Sequence, residues 1–265
     1  VGVEVLVWAA APAKRAATPG WWVVMAGSLA VFGLGFWDDL RPLGAKRKLA
    51  AQILIASLVW SCGVSIQVCK LPLLGWRVDL GGLSLAVTVL WLVGLTNLIN
   101  LIDGVDGLAG GICLMLMLLM IFVGQQGGSL GLLASGMAGA LLGFLVFNFP
   151  PAKVFLGDSG AYFLGFQISL LSLIESDKGT VFGALLAPLF VLALPLVDTS
   201  LAILRRGLRG LPIFRPDRRH LHHHLMEMGL SRRQVVLSFY AVTMVFLGMG
   251  LLTVWSRGQM APLLF

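Results

Sequence analysis

The sequence predicts an all-α protein that is embedded in a membrane as a polytopic helix bundle. Of its 265 residues, 58% are hydrophobic and only 12% are charged, and the mean hydropathy is +0.94. Soluble domains carry about 25% charged residues, so this composition excludes an ordinary soluble fold. The apolar residues form continuous runs close to the roughly 17–25 residues that cross a bilayer as a helix, unlike the shorter alternating segments of a β-barrel.

Eight apolar runs predict eight transmembrane helices, and in chain order they span about 21–37, 49–66, 83–99, 107–124, 129–147, 161–175, 180–203 and 235–255. The run at 161–175 is the shortest, so we expect it to draw on its flanks or to lie tilted within the bundle. We assign residues 21–255 to one membrane-embedded domain. Residues 1–20 are interpreted as an N-terminal remnant or a truncated start.

Two segments between these runs have their own character. Residues 67–82 alternate between apolar and polar side chains and contain turn residues, which predicts a small β-hairpin on the outer surface. Residues 204–234 form the longest polar stretch and are predicted to be a cytoplasmic loop that carries every histidine of the chain.

The positive charge of the chain is concentrated on one predicted side of the membrane. If the loop at 38–48 is cytoplasmic, the loops at 100–106, 148–160 and 204–234 lie on the same side, and together they hold 13 of the 19 Lys and Arg residues. This bias sets the orientation by the positive-inside rule. Basic residues at this face suit anionic headgroups and phosphate-bearing substrates, so the net charge of +7 does not indicate a nucleic-acid partner.

The first of four polar islands is the adjacent pair Asp38 and Asp39, followed by Lys46, Arg47 and Lys48. Two carboxylates at a helix end repel each other, so we expect one to bind a cation or to take up a proton. That arrangement suits a metal ligand beside a general base. A solvated pair of acids at a helix end is the alternative, and for Arg47 an ordinary positive-inside role is preferred.

The second island contains two carboxamides, Asn97 and Asn100, and two carboxylates, Asp103 and Asp106, at the mouth of a predicted membrane helix. Charge near a bilayer is costly and therefore indicates function. The Asp-Gly-Val-Asp-Gly segment bends the backbone twice and presents hard oxygen ligands, which suit Mg²⁺ or Ca²⁺. The alternative is a polar turn between two helices.

The third island places Asn148 and Lys153 shortly before Gly157-Asp158-Ser159-Gly160, which opens the sixth predicted helix. An N-cap by Asp158 or Ser159 is the simplest interpretation. Free backbone N–H groups at such a helix start would also form a phosphate site.

The fourth island contains all the histidines of the chain within five positions, next to Arg218; they are His220, His222, His223 and His224. Zinc binding and a chance surface cluster are alternatives, but neighbouring arginines favour binding of a diphosphate. All four islands fall on the same predicted side. Carboxylates and basic groups around a metal are what phosphoryl transfer from a nucleotide requires, and a site in the membrane suggests a lipid substrate.

With these four motifs in this order, the chain resembles the polyprenyl-phosphate N-acetylhexosamine-1-phosphate transferases over about residues 30–255. That superfamily includes phospho-N-acetylmuramoyl-pentapeptide transferase. The resemblance implies transfer of an N-acetylhexosamine-1-phosphate from a UDP-sugar to undecaprenyl phosphate with Mg²⁺, or Mn²⁺ as the alternative, releasing UMP. Relatives have ten spanning helices against the eight predicted here, and the family's Arg–Gly–Gly loop is not found in residues 1–20.

The resemblance also implies a role for each matching residue. The implied catalytic residues are Asp38, Asp39, Asp103, Asp106, His220 and His222. The implied substrate-binding residues are Lys46, Lys48, Asn97, Asn100, Asn148, Lys153, Arg218 and His223, and the implied metal ligands are Asp39, Asp106 and Asp158. Lys48 is preferred for the lipid phosphate because it precedes Gln52 by four positions as in relatives, with Lys46 in reserve.

The segment from Pro216 to His223 resembles the GlcNAc-1-phosphate branch, so UDP-GlcNAc is the preferred donor. The alternatives are UDP-GalNAc or a rarer N-acetylhexosamine donor, and the muropeptide branch. The implied location is the bacterial plasma membrane, with the active site on the cytoplasmic face. Relatives suggest a homodimer, and no residue pattern here indicates one. A cation transporter lined by Asp103, Asp106, Asp158 and Asp198 and an inactive scaffold for glycan assembly are the alternatives from other classes.

Overall fold

A computed structural model describes residues 20–71, 76–124, 129–175, 191–208 and 221–260. Helices dominate these ranges, and one short antiparallel hairpin lies between the second and third helix. The helices are α1 (Gly20–Leu40), α2 (Ala45–Ser61), α3 (Ser84–Ile102), α4 (Leu108–Gly124), α5 (Ser129–Asn148), α6 (Gly157–Glu175), α7 (Ala193–Leu208), α8 (Leu221–Glu227) and α9 (Arg232–Met260). The strands are β1 (Val68–Leu71) and β2 (Trp76–Asp79), and a short 3-10 helix at Gly81–Leu83 leads into α3.

The helices have the length and apolarity of a membrane bundle. Within the described ranges, three segments are long and apolar enough to span a bilayer, namely Trp22–Leu40, Gly81–Ile102 and Gly131–Asn148. Large apolar side chains also point outward, as Val146 and Leu90 do at 76% and 73% exposure. Such an outward apolar surface is stable in lipid. The predicted all-α membrane bundle is therefore confirmed.

Some helices extend beyond the predicted apolar runs, because polar residues at their ends are also helical. The first helix ends at Leu40 and not at residue 37, so Asp38 and Asp39 belong to its last turn. The sixth helix begins at Gly157, four residues before the predicted run, which gives it 19 residues and removes the apparent shortness. Of the predicted seventh span, residues 180–190 lie outside the described ranges.

The predicted β-hairpin is confirmed, with Val68 paired to Asp79 and Leu71 paired to Trp76. The chain just before it is attached to α3 through Ile66. The N–H of Ile66 donates to the Thr88 hydroxyl at 2.9 Å, and its carbonyl accepts from the Ser84 hydroxyl at 2.7 Å. These bonds satisfy buried backbone groups at the point where the chain leaves α2.

Helix α6 is central, because it packs against both α1 and α3. Its large buried side chains include Tyr162, Phe166 and Leu170. The buried amide of Gln167 donates to the Ser28 hydroxyl of α1 at 2.8 Å. Side-chain hydrogen bonds of this kind are a usual means of joining helices in a membrane. Helix α4 pairs with α5 and is also contacted by α9.

At one end of the bundle α1 and α6 approach each other backbone to backbone. A Cβ atom on Gly35 would lie 2.5 Å from Ser159 Cα and 2.6 Å from the Asp158 carbonyl oxygen. Neither of these backbone atoms can move aside as a flexible side chain would. Glycine at position 35 therefore allows the end of α1 to reach the start of α6.

We expect Gly35→Ala to lower the free energy of unfolding by about 1–3 kcal/mol, because the added methyl group meets backbone atoms. Gly33→Ala is the matched control, since a Cβ there meets nothing within 4 Å on the same helix. Thermal unfolding in detergent measures both variants. Equal midpoints for the two would show that the close approach of α1 to α6 does not constrain the fold.

Candidate active site

The predicted site residues gather at one end of the bundle because they sit at helix ends. Helices α1, α3 and α5 finish there with acids or amides, and α2, α6 and α9 begin there with Lys, Asp or Arg. Hydrogen bonds and ion pairs join residues from the first three polar islands, and the first and third of these lie more than 100 positions apart in the chain.

Lys48 is the centre of this arrangement. Its ammonium group lies 2.9 Å from Asp38 Oδ2 and 2.9 Å from Asp158 Oδ2, so it joins the ends of three helices. The second oxygen of Asp158 accepts a hydrogen bond from the Asn100 side chain at 2.9 Å. The second oxygen of Asp38 accepts from the Leu43 N–H at 2.7 Å. One cation thus bridges two carboxylates that are themselves fixed by further donors.

The protonation of Lys48 follows from these contacts. Burial alone would lower the pKa of its ammonium group, but the hydrogen bonds to Asp38 and Asp158 outweigh that effect and raise the pKa above its ordinary value. Its side chain is 24% exposed, so the charge is accessible to a solute from the water side. Lys48 is a permanent positive charge at neutral pH.

Asp39 has a different task from its neighbour Asp38. Its two carboxylate oxygens accept from the backbone N–H groups of Asp158 at 2.8 Å and Ser159 at 3.0 Å. Asp39 therefore caps α6 from another helix, and its charge faces the positive end of the helix dipole. The predicted local N-cap and the predicted free N–H groups for a phosphate are both wrong, because Asp39 occupies these donors.

Gly157 makes room for this cap. It has a φ of +67°, and a Cβ there would lie 2.8 Å from Asp39 Oδ2. A side chain at this position would be strained and would also push the carboxylate off the helix start.

Asn97 lies one turn before Asn100 and faces α2. Its amide donates to Gln52 Oε1 at 2.6 Å and to the Val93 carbonyl at 2.8 Å. Gln52 is 2% exposed, and its own amide nitrogen has no hydrogen-bond partner among the described residues. This contact places Asn97 between α2 and α3, while its predicted contact with substrate stays a prediction.

The loop between α3 and α4 carries a concentration of negative charge. Burial, and then the charges of Asp158, Asp106 and Asp39, raise the pKa of Asp103 from 3.8 to about 7. Asp106 accepts from the Ala152 N–H at 3.4 Å and lies 3.6 Å from an Arg232 guanidinium nitrogen. The two acids thus lie in a region where negative charge is incompletely neutralised.

Asn148 holds two loops together. It is 3% exposed, its Oδ1 accepts from the Gly107 N–H at 2.9 Å, and its Nδ2 donates to the Val154 carbonyl at 2.8 Å. This position lies between two loops, and the predicted contact of Asn148 with substrate stays a prediction. The structure gives Asn148 the task of fixing the loop after α3 against the loop before α6.

Of the remaining predicted residues, the structure describes the side chains of Lys46 and Lys153. The side chains of Lys46 and Lys153 are exposed. Arg218 and His220 lie outside the described residues, whereas His222 and His223 are part of helix α8. That short helix is attached to α7, because the Leu221 N–H donates to Asp198 Oδ1 at 3.0 Å.

Helix α9 supplies contacts that sequence reasoning missed. Arg232 approaches Asp106, Arg233 donates from Nε to the Pro150 carbonyl at 2.7 Å, and the Tyr240 hydroxyl donates to the Gly107 carbonyl at 2.5 Å. The adjacent glycines at 110 and 111 were a usable signal, since paired glycines early in a helix indicate a close neighbour.

Comparison with known proteins decides the family. The model of glycosyl transferase family 4 matches residues 21–176, which include the aspartate pair, the second island and the start of α6. The chain belongs to this family.

Family 4 relatives are phosphosugar transferases by name. The chain is 40% identical over 225 residues, or 84% of its length and 63% of the relative's, to a probable undecaprenyl-phosphate N-acetylglucosaminyl 1-phosphate transferase of Bacillus subtilis. It is 36% identical to a decaprenyl-phosphate N-acetylglucosaminephosphotransferase of Mycobacterium tuberculosis, over 82% of the chain and 59% of the relative. The chain thus spans about three fifths of the length of these two relatives.

A second branch of family 4 is similar over a larger share of its length. The phospho-N-acetylmuramoyl-pentapeptide-transferase of Moorella thermoacetica is 38% identical over 81% of the chain and 69% of the relative. The family predicted from the motifs is therefore confirmed, and the chain is a multi-pass membrane protein of a transferase family.

The carboxylates of Asp103, Asp106 and Asp158 are hard oxygen ligands of the type that Mg²⁺ prefers. Within the described ranges, no three side chains of His, Cys, Asp or Glu converge as a preformed metal site. Burial, and then the charges of nearby carboxylates, raise the pKa of Asp103, and Mg²⁺ prefers such oxygen ligands. The residues fit a divalent cation, provided that side chains rearrange when it binds.

The raised pKa of Asp103 predicts how stability changes with pH in the absence of divalent cations. Between pH 4 and pH 7 the folded protein binds a proton at Asp103 that the unfolded chain releases, so stability falls as pH rises through this window. We expect Asp103→Asn to flatten this part of the pH profile. Melting temperatures in EDTA at several pH values measure it, and an unchanged slope would contradict the assignment.

Proposed function

We propose that this chain transfers N-acetylglucosamine-1-phosphate from UDP-N-acetylglucosamine to undecaprenyl phosphate. The products are undecaprenyl-diphosphate-N-acetylglucosamine and UMP, and the reaction is the first membrane step of a cell-envelope glycan. The site faces the cytoplasm in the bacterial plasma membrane. The observation that carries the proposal is the Lys48 ammonium held between Asp38 and Asp158 at the end of the bundle.

An accessible lysine among acids suits a reaction between two anionic phosphates. Lys48 stays charged at neutral pH and can hold an oxygen of the acceptor phosphate, which enters from the apolar part of the bundle. Asp38 and Asp158 keep the ammonium at a defined position, so little reorganisation is needed when the phosphate arrives.

The bond changes assign a task to each adjacent aspartate. An oxygen of the lipid phosphate attacks the sugar-bearing phosphorus of the donor, a new P–O–P bridge forms, and the bond to the UMP oxygen breaks. Asp38 lies against Lys48 and is the candidate to accept a proton from the lipid phosphate. Asp39 accepts from two backbone N–H groups and therefore holds the start of α6 close to Asp38.

Magnesium is proposed as the cofactor, with Asp106 and Asp158 as its ligands and Asp103 close by. When bound, it neutralises the donor diphosphate. Asp39 is the third predicted ligand. Both oxygens of Asp39 and both oxygens of Asp158 accept hydrogen bonds, so metal binding by either carboxylate requires one of these bonds to break. The histidines at 220, 222 and 223, with Arg218, are proposed to contact the diphosphate or sugar.

The choice of sugar rests on the segment at 216–223 and on the relatives named as N-acetylglucosamine-phosphate transferases. The muropeptide donor is the second candidate, because a relative with that name is 38% identical. The two donors differ greatly in size, so a direct comparison separates them.

The deciding experiment measures UMP release by the purified protein in detergent with Mg²⁺ and undecaprenyl phosphate. UDP-N-acetylglucosamine, UDP-N-acetylgalactosamine and UDP-N-acetylmuramoyl-pentapeptide are compared as donors. We expect lipid-dependent release from the first. Release from the muropeptide alone would reassign the chain to that branch, and release from none of the three would contradict the proposed activity.

We expect Lys48→Ala to lower the rate of UMP release at least about 100-fold, because a preorganised charge at the reacting phosphates is lost. Arg47→Ala is the matched control, since it removes the same charge from the exposed neighbouring position. Size-exclusion profiles and melting temperatures confirm that both variants fold. Equal rates in the two variants would remove Lys48 from the mechanism.

A further inference from the structure

The backbone of Gly107 is held on both sides by side chains from distant helices. Its N–H donates to Asn148 Oδ1 of α5, and its carbonyl accepts from the Tyr240 hydroxyl of α9. Gly107 has a φ of +80° and directly follows Asp106. Gly107 is buried, and its carbonyl also accepts from the Gly111 N–H at 3.0 Å, so the two side chains add to the bond made by its own turn.

We propose that Tyr240, together with Asn148, is a positioning residue that fixes the carboxylate of Asp106 in the active site. The peptide unit that bears the Gly107 N–H also contains the carbonyl of Asp106. Tyr240 holds the next peptide unit, which bears the Gly107 carbonyl. With both units held, the position of the Asp106 Cα, from which its side chain leaves the backbone, is restricted. The catalytic part of this inference rests on the proposed function, whereas the structural part does not.

The surroundings are shaped to admit the Tyr240 ring. Gly111 lies one turn further along α4, and a Cβ there would overlap the phenol ring and hydroxyl of Tyr240. At Gly107 itself a Cβ would lie 3.2 Å from Pro150 Cδ and 3.4 Å from Phe149 Cα. Gly111 therefore leaves the space that Tyr240 fills, and Gly107 allows the loop after α3 to lie against the loop before α6.

Two further contacts bring the same helix face to the same loops. Arg233 precedes Tyr240 by seven residues, or two helical turns, and bonds to the Pro150 carbonyl. Arg232 lies 3.6 Å from Asp106 itself. Asn148 completes the arrangement by binding the Val154 carbonyl. Helix α9 thus ties the acidic loop to the loop that leads into α6.

Such a contact matters for catalysis more than for folding. Loss of one neutral hydrogen bond is a modest loss for the bundle. A displacement of about 1 Å at a reacting group, however, can cost about 100-fold in rate. Tyr240 is therefore expected to act through Asp106, with little effect on how the acceptor lipid binds at Lys48.

The test compares Tyr240→Phe with Ser238→Ala. The first keeps the ring and removes the hydroxyl. The second removes a hydroxyl that donates to the Gln234 carbonyl of the same helix. Hydrogen–deuterium exchange of the purified proteins is followed in the peptide covering 103–109. In Tyr240→Phe we expect exchange to be about two- to tenfold faster, with no change in Ser238→Ala.

The kinetic part uses the same two variants in the UMP-release assay. For Tyr240→Phe we expect a fall in kcat of about 10- to 100-fold with an unchanged KM for undecaprenyl phosphate, and wild-type kinetics for Ser238→Ala. Gly111→Ala should reproduce both effects because it displaces the ring. Gly139→Ala should not, since a Cβ there meets nothing within 4 Å.

Unchanged exchange at 103–109 in Tyr240→Phe would overturn the inference. Faster exchange with an unchanged kcat would also overturn it, because Tyr240 would then stabilise the loop without positioning Asp106. If the wild-type protein releases no UMP from any donor, the proposed function fails, and the exchange measurements alone then support or refute the hold on the loop.

Discussion

The active-site end of the bundle depends on one cation, the ammonium group of Lys48, shared between the carboxylates of Asp38 and Asp158. Charged side chains within a membrane-embedded helix bundle are tolerated only when they are paired or solvated. Here a single positive charge compensates two acids from α1 and α6, and the start of α2 is fixed in the same step. The position of the proposed reaction centre and the meeting point of three helices are therefore the same place.

The adjacent aspartates show how one short motif can serve both structure and chemistry. Successive residues on a helix point about 100° apart, so the carboxylates of Asp38 and Asp39 reach different groups. Asp38 meets Lys48, while Asp39 caps the start of α6. The last turn of α1 thus binds two different groups, the Lys48 ammonium through Asp38 and the start of α6 through Asp39.

Much of the fold was predictable because apolar runs and turn residues are local signals. The hairpin at 68–79, the sites of the helices and the polar islands at their ends follow from such patterns. The cap by Asp39, the buried amide of Asn148 and the contact from Tyr240 were not predictable, since each joins positions at least 40 residues apart. Only glycines at 35, 107, 111 and 157 indicated these contacts. The roles of the histidines stay predictions.

The contact between Gly35 and Ser159 limits the path by which a lipid can reach the site. Two helices whose backbones touch leave no gap, so the seam between α1 and α6 is closed beside Lys48. A branched hydrocarbon tail is far wider than this seam. Any lipid that brings its phosphate to Lys48 must therefore enter through a different opening between helices, and the glycine that draws α1 against α6 also restricts the direction of arrival.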